Sequence, residues 1–454
     1  MSILNLLHAI IVAKKAESFT PQQIQDLQQR RFRKLLRHVL QKSRFYKKYY
    51  QEHGITERDV DGVKPEDLPV IDKQIVMENY DDLVCDPVLK KDALERFVTE
   101  SPDPGSMYKG MYRVIHTSGS SGTVGLFVYG PRDWVVARAL ILRLSGIPVH
   151  LLKREKAAYF GATDGHYGAI TMFRGVPRLL FKVLSLSINS PIEQICREID
   201  LFQPYNLTGY ASGIGLLARE QIAGHINIAP KKISCAADPL TPAIRATIEK
   251  AFGVNPINMY AASETMAFSS ECKLHHSLHL FDDWFSIQAV DDALQPVRPG
   301  QTGRVVITNL YNYTQPLIRY QLDDEIVLSD KPCPCGWPFP VIDKLAGRSE
   351  ESLWFTKADG TREFIHPIVL VEFFVPGLEK FQCIQTGTDR LIMKAVVYSE
   401  KDRIVLAIHE RMTEILSQKA LNDTVRFEVE LVDDIKNDPK TGKFRLIIPY
   451  SNGL

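Results

Sequence analysis

An α/β fold, with a large multi-layer N-terminal domain and a small α+β C-terminal domain, is what this chain predicts, on three observations. Short apolar, strand-like runs alternate with helix-like stretches between residues 100 and 265, the pattern of a mostly parallel sheet covered by helices. From Leu280 the pattern turns β-rich, with runs separated by Pro/Gly turns. Beyond a polar break at Gly347 to Glu351, two strand-like runs flank one helical stretch, enough for a small separate unit. The 454-residue length agrees, because a single core usually stops growing well before that size.

In chain order, Pro21 to Tyr50 has helical spacing, with Leu27, Leu35, Leu36, Val39 and Leu40 set among Arg30, Arg31, Arg33, Lys34 and Arg37. A basic amphipathic stretch suits RNA or lipid, but Phe32, Phe45, Tyr46 and Tyr49 favour a cover for a large domain. Residues 55 to 72 are loop-rich around Pro65 and Pro69, and a helix begins near Lys73. Strands are expected at Met111 to Ile115 and Leu126 to Tyr129, then a helix at Arg132 to Ser145 and a strand at Ala157 to Gly161. The alternation continues through a helix at Pro191 to Phe202, a strand at Leu207 to Tyr210, a strand at Lys232 to Cys235, a helix at Pro242 to Phe252 and a strand at Ile257 to Tyr260. Strands follow at Phe285 to Val290, Val305 to Asn309 and Glu325 to Leu328. The last unit has strands at Leu391 to Tyr398 and Val425 to Leu431 around a helix at Asp402 to Gln418.

Composition favours no charged class of partner, so partners are inferred from sites. Lys plus Arg total 55 against 54 for Asp plus Glu, so no global charge favours nucleic acid or an anionic membrane. No apolar run is long enough to span a bilayer. The apolar opening, Ile10 to Val12 included, meets Lys14 and Lys15 without a cleavage signal, so a secretory peptide is not expected. Seven unevenly spaced cysteines do not suggest a disulfide framework, and a cytoplasmic location fits.

The central motif is His116-Thr117-Ser118-Gly119-Ser120-Ser121-Gly122-Thr123-Val124-Gly125, between two expected strands. Its glycines let backbone N–H groups approach an anion, and its hydroxyls add donors. Without a Gly-Lys-Ser/Thr ending it is not a P-loop, and with a strand following it is not a dinucleotide fingerprint. The competing reading is a Ser/Gly-rich surface hairpin. After an expected strand, Tyr260-Ala261-Ala262-Ser263-Glu264-Thr265 offers a ring to stack on a base and a carboxylate to hold a divalent cation beside phosphate. Arg319 to Asp324 offers a carboxylate for two ribose hydroxyls, against the reading of an acidic turn. Ligands in parallel sheets gather beyond the carboxyl ends of strands, where Thr117, Asp238 and Tyr260 all fall.

The order of these stations, continued by Gly347-Arg348-Ser349-Glu350-Glu351 and Thr441-Gly442-Lys443, resembles the acyl-adenylate-forming superfamily of acyl-CoA synthetases and adenylation domains. Pro316 to Tyr320, Pro332-Cys333-Pro334-Cys335-Gly336 and Leu68 to Lys73 are similar to its phenylacetate-CoA ligase branch, including capsule-biosynthesis-associated members. The resemblance implies an ATP- and acyl-binding domain over residues 1–346 and a mobile lid domain over 347–454. It places Ser118, Gly119, Ser120, Ser121, Gly122 and Thr123 around the ATP phosphates, with Tyr260 and Asp324 also binding ATP, and Thr117 and Asp238 join them as ATP-binding candidates from their place at expected strand ends. It puts Glu264 on magnesium and makes Lys443 the mobile catalytic lysine. The acyl pocket is expected between Ala162 to Tyr167 and Cys235 to Asp238, with Ala162, His166, Tyr167 and Ala236 as lining candidates. The chain departs from the superfamily pattern at Ala261, at Leu322-Asp323, and at Leu353 to Lys357, where a glycine-rich segment is usual.

The activity implied is ATP-dependent formation of an acyl-adenylate, with release of pyrophosphate and transfer of the acyl group to CoA. An amine or a carrier-protein thiol is the alternative acceptor, and a noncatalytic nucleotide- or acyl-binding scaffold is the reading from another class. The expected partners are thus a small carboxylic acid, ATP and an acceptor, with room for a homodimer. Structural zinc is expected on Cys272, His279, Cys333 and Cys335, whose thiolates and imidazole match a tetrahedral site. Related members carry Glu-Cys and a downstream Leu-His before a Cys-Pro-Cys-Gly turn, matched here by Glu271-Cys272, Leu278-His279 and Cys333 to Gly336. His275 or His276 are the replacements open for His279.

Overall fold

The computed structural model describes residues 3–101, 103–117, 125–145, 154–178, 180–272, 274–346, 353–371, 373, 375–436 and 445–450. Helices dominate the start. They are α1 (Ile3–Ala16), α2 (Pro21–Lys42), α3 (Arg44–Glu52), α4 (Lys73–Glu78), α5 (Tyr80–Leu83) and α6 (Lys91–Glu100). The single helical pattern expected over Pro21 to Tyr50 is two helices, because Ser43 is extended and its hydroxyl accepts from Tyr46 N at 3.2 Å, capping α3. The basic stretch is a cover: Ile24, Phe32, Leu35, Leu36, Val39 and Leu40 of α2 are buried. Asp72 accepts from Ile75 N at 2.8 Å and so starts α4 at the expected residue, Lys73.

Strands β1 (Arg113–His116) and β2 (Leu126–Tyr129) form a separate antiparallel pair. They precede α7 (Pro131–Ser145), β3 (Glu155–Gly161), α8 (Gly168–Arg174), β4 (Phe181–Ser187), α9 (Ile192–Phe202), β5 (Asn206–Tyr210), α10 (Ala211–Ala223), β6 (Lys232–Ala236), α11 (Pro242–Phe252) and β7 (Ile257–Ala262). Strands β8 (Met266–Glu271), β9 (Leu278–Leu280), β10 (Phe285–Val290), β11 (Thr302–Asn309), β12 (Tyr320–Leu328) and β13 (Val341–Ala346) follow. One eleven-stranded sheet runs β10-β11-β12-β13-β9-β8-β7-β6-β5-β3-β4. Its β4-β3-β5-β6-β7 half is parallel, as the alternation predicts, and its other half is antiparallel. Strands β3 and β5 of the parallel half are largely buried, and because its strands share one direction their carboxyl ends open to a common edge.

The smaller α+β part comprises the hairpin β14 (Leu353–Thr356) and β15 (Arg362–Ile365), the short α12 (Pro367–Val371), then β16 (Lys380–Gln385), β17 (Arg390–Val396), α13 (Lys401–Gln418), β18 (Arg426–Leu431) and β19 (Ile447–Ile448). Its four-stranded sheet is ordered β18-β17-β16-β19. It docks on the parallel half: Phe160, Ile195, Leu217 and Ile248 share one buried apolar cluster with Leu353, Phe364, Met393 and Ile408. Polar ties reinforce the contact. Buried Lys419 donates to Ser190 O at 3.0 Å and lies 3.6 Å from Glu363 Oε1, while Glu363 Oε2 accepts from Ile192 N at 3.1 Å at the start of α9. No described helix is long and apolar enough to cross a membrane.

Candidate active site

Four parallel strands deliver residues to one edge: β3 ends before Ala162, β5 at Tyr210, β6 at Ala236 and β7 at Ala262. The mouth of the glycine loop is pinned there. Thr117 N donates to Gly125 O at 2.9 Å, and Gly125 N donates to Thr117 Oγ1 at 2.8 Å. A Cβ on Gly125 would come within 2.8 Å of the Phe127 ring, so this end of the loop requires glycine.

His116 ties that mouth to the segment after β3. Its main-chain N–H donates to His166 O at 3.0 Å, and its Nε2 accepts from His166 N at 3.2 Å. An accepting Nε2 puts the ring proton on Nδ1, which faces Thr117 O at 3.3 Å. Burial holds the imidazole down at about 4, so it stays neutral and this pattern is kept. Tyr167 packs on the same ring at 4.6 Å. His166 is fully buried, donating from Nε2 to Ser101 O at 2.5 Å and packing on Phe97, which makes it a shaper of the loop.

Across the edge, Tyr260 Oη donates to Asp324 Oδ2 at 2.8 Å, joining β7 to β12 over the intervening strands. The ring lies 4.5 Å from Phe268. Burial first, then the Asp324 charge, pushes the phenol above its usual range and keeps it a donor. Glu264 is buried in the turn that follows. Two tyrosines hold that turn: Tyr129 Oη donates to Ser263 O at 3.1 Å and Tyr311 Oη to Thr265 O at 2.8 Å.

After β6, Ala237 turns at φ +73°, and the Asp238 carboxylate accepts from Ala211 N at 2.5 Å and Ser212 N at 3.1 Å. A carboxylate at the N-terminus of α10 satisfies orphan N–H groups and the helix dipole. His366 reaches into this corner from the smaller domain, with Nε2 against Ser212 Oγ and 3.5 Å from Asp238 Oδ2, and its ring packs at a tilt on Tyr210, with centroids 5.3 Å apart.

A second cluster lies on the antiparallel side. Cys272 follows β8, His279 is on β9, and Cys333 and Cys335 sit in the turn between β12 and β13. Their four ligand atoms all lie within 4.8 Å of one another, with Cys272 Sγ 3.7 Å from Cys333 Sγ and Cys335 Sγ 3.4 Å from His279 Nε2. A tetrahedron with Zn–S bonds of about 2.3 Å has sulfur-to-sulfur edges of roughly 3.7 Å. His279 Nδ1 faces Phe339 O at 3.2 Å, which orients Nε2 toward the sulfurs. His276 instead bonds Asn255 at 2.8 Å, so His279 completes the set.

No protein-family model matches the chain. It is 26% identical over 357 residues to a phenylacetate-coenzyme A ligase of Thermus thermophilus, spanning 74% of this chain and 73% of that one. It is 22% identical over 428 residues to protein CapK of Staphylococcus aureus, spanning 93% and 88%. Its fold is similar to that of 2-hydroxyisobutyryl-CoA ligase solved with 2-HIB-AMP and CoA, with a TM-score of 0.64 and 20% identity over 96% of this chain and 91% of that one. In sequence and in fold the chain resembles the acyl-adenylate-forming superfamily. Its similarity to the phenylacetate-CoA ligase and CapK branches supports an AMP-forming, carboxylate-activating activity.

Of the site residues expected from the sequence, Thr117, Ala162, Tyr167, Ala236, Asp238, Tyr260, Glu264 and Asp324 lie along or beside the strand-end edge. Ser118, Gly119, Ser120, Ser121, Gly122 and Thr123 lie outside the described residues, as do Lys443 and the break at Gly347 to Glu351. His116, Ser212 and the contact of His366 with Asp238 were not anticipated. Each depends on partners dozens of residues away, and only the identity of a histidine beside the glycine loop was there to be noticed.

Proposed function

We propose that this enzyme activates a small carboxylic acid as its acyl-adenylate and passes the acyl group to CoA, using residues 1–346 for ATP and acid and 347–454 as a lid. The observation that carries the reading is the bonded pair Tyr260 and Asp324 beside buried Glu264, at the strand-end edge of an adenylate-forming fold. In this reading the Tyr260 ring meets adenine and the Asp324 carboxylate accepts from the ribose hydroxyls. Loop residues 118–123, anchored by Thr117 and Gly125, give N–H and hydroxyl donors to the phosphates. Asp238 serves the nucleotide through its main chain, since its carboxylate is committed to α10. Ala162, Tyr167 and Ala236 border the acid, and His166 acts through loop shape.

A substrate carboxylate oxygen attacks the α-phosphorus, an O–P bond forms, the bond to the β-phosphate breaks, and pyrophosphate leaves. Lys443 supplies an ammonium to the charge developing on the transferring group. Glu264 suits magnesium, which commonly takes one or two carboxylates and completes its shell with phosphate oxygens and water. Bound there, the ion would offset phosphate charge. The acceptor sulfur then attacks the acyl carbonyl and AMP departs. Support for CoA comes from the ligases among the relatives. An amine or a carrier thiol is the second reading, favoured by Leu353 to Lys357 and His366 where the superfamily has a glycine-rich segment. Zinc on Cys272, His279, Cys333 and Cys335 has no open position and is structural.

The test is ATP–pyrophosphate exchange across a panel of carboxylic acids, followed by trapping with CoA or amines. Exchange with at least one acid is expected, and Lys443→Ala should slow it by about 100- to 1,000-fold at an unchanged thermal midpoint. Nucleotide binding without exchange for any acid would leave a noncatalytic scaffold.

A further inference from the structure

Three exposed large apolar side chains of the described residues fall on α1: Leu4 at 74% exposure, Leu7 at 49% and Ile11 at 65%. Spacing of three and four residues puts them on one outward stripe. The opposite side is already used. Ala9, with Leu6 and Ile10, packs on Val135 and Ala139 of α7, Ala13 enters the main core, and Ala16 packs with Ile24 and Phe339. Arg143 Nη2 also donates to Ala13 O at 2.5 Å, so the helix is anchored and its stripe is not a core face waiting to fold inward.

The charge on this surface has one sign. Residues 3–16 contain no Asp or Glu, while exposed Lys14 and Lys15 close the last turn on the same outward arc as the stripe and His8. On the supporting α7, Arg132 is exposed and Arg138 half-buried, whereas its one acid, Asp133, is buried and accepts from Gly130 N, Tyr313 N and Thr314 Oγ1. Against a whole-chain balance of 55 basic to 54 acidic residues, this is a local cationic and apolar face.

We propose that α1 lays Leu4, Leu7 and Ile11 into the headgroup boundary of an anionic phospholipid bilayer, so that the enzyme works at a membrane surface. Aliphatic insertion and lysine attraction to anionic lipid act together in interfacial helices, and lysine stems lie along the apolar surface with their ammonium groups in water. A second copy fits less well. A helix of this length spans about 21 Å, and one stripe of three side chains falls short of the roughly 800 Å² that each partner buries in a stable dimer. Pairing two such faces would also oppose like charges.

The experiment is flotation of the full chain with phosphatidylcholine vesicles, with and without phosphatidylglycerol, at low and high salt, alongside sedimentation analysis without lipid. The wild type should float with the anionic vesicles, and neutral vesicles or the Leu7→Glu/Ile11→Glu variant should reduce the bound fraction about tenfold. Lys14→Glu/Lys15→Glu should remove the salt-sensitive part, and both variants should keep the wild-type thermal midpoint because all four side chains are exposed. Absence of wild-type flotation, or equal flotation by Leu7→Glu/Ile11→Glu, overturns the proposal. A wild-type dimer made monomeric by that variant overturns it in favour of a second copy.

Discussion

Tyr260 and Asp324 are joined by a 2.8 Å hydrogen bond from phenol to carboxylate, across strands that are not neighbours in the sheet. The bond fixes a ring and an acid relative to each other, which is what recognition of a base and its sugar together requires. Asp324→Ala removes the acceptor and should weaken ATP binding by about 10- to 100-fold, the range for losing hydrogen bonds to a charged group. Tyr260→Phe keeps the ring and loses only the orienting bond, for a loss of less than about tenfold. Calorimetric titration with ATP reads both, and wild-type affinity in Asp324→Ala would remove Asp324 from the ribose site.

The cysteine cluster predicts about one zinc per chain in protein purified without a histidine tag. Cys272 and His279 flank the β8–β9 connection and the two other cysteines cap the β12–β13 connection, so the metal would cross-link two turns of the antiparallel half. Cys333→Ser should lower both the metal content and the thermal midpoint, and chelation of the wild type should lower the midpoint with recovery on adding zinc. Metal-free wild type with full thermal stability would end the assignment.

Much of the fold was readable because local chemistry and tertiary packing agree. Thr241, with its hydroxyl accepting from Ile244 N at 3.2 Å before Pro242, marks the start of α11 in sequence and in space. Helix α10 was not readable. Gly213 and Gly215 look like breakers, yet Cβ atoms there would sit 3.2 Å from Phe160 and 3.1 Å from Ile244, so the glycines serve close packing that no local pattern encodes. Strand β8 escaped because all six of its residues are buried, which erases the period of two. In the site, the resemblance of Glu271-Cys272, Leu278-His279 and Cys333 to Gly336 to segments of related members singled out four residues whose ligand atoms do come together within 4.8 Å. The Asp238 carboxylate was open to several readings until its partners, Ala211 and Ser212, were in place.

Lys419 and Glu363 lie 3.6 Å apart with both side chains fully buried where the smaller domain meets α9. Burial pushes the ammonium down to about 8, against the opposing pull of Glu363. Lys419→Met would strand the Glu363 charge, a change that costs about 3–5 kcal/mol in buried pairs. Lys419→Met with Glu363→Gln removes both charges and should recover most of the loss. Thermal unfolding of the three proteins tests this, and a single variant as stable as the wild type would show that the pair is not closed off from water.

Asp282 gives a prediction about pH. The residue is half-buried, its Oδ1 is closed off from solvent with no hydrogen-bond partner among the described residues, and burial followed by the adjacent Asp283 charge raises the carboxyl from 3.8 to about 8. Asp283 accepts from Arg143, with bonds of 2.9 and 2.7 Å, and Arg31 lies 3.8 Å away. Among the described residues no cation forms an ion pair with Asp282. With the folded value above the unfolded one, the native state holds a proton that the unfolded chain has released between those two values. Its stabilising contribution is therefore complete below pH 3.8 and is lost as the pH rises through about 8. Asp282→Asn has the same shape and no proton to lose, so it should flatten the dependence of the thermal midpoint across that window. The advantage of the variant should grow toward alkaline pH, by an amount on the order of a few kcal/mol once relaxation around the charge is allowed for. Midpoints measured below, within and above the window decide the matter, and a constant gap between the two proteins would mean that Asp282 titrates normally.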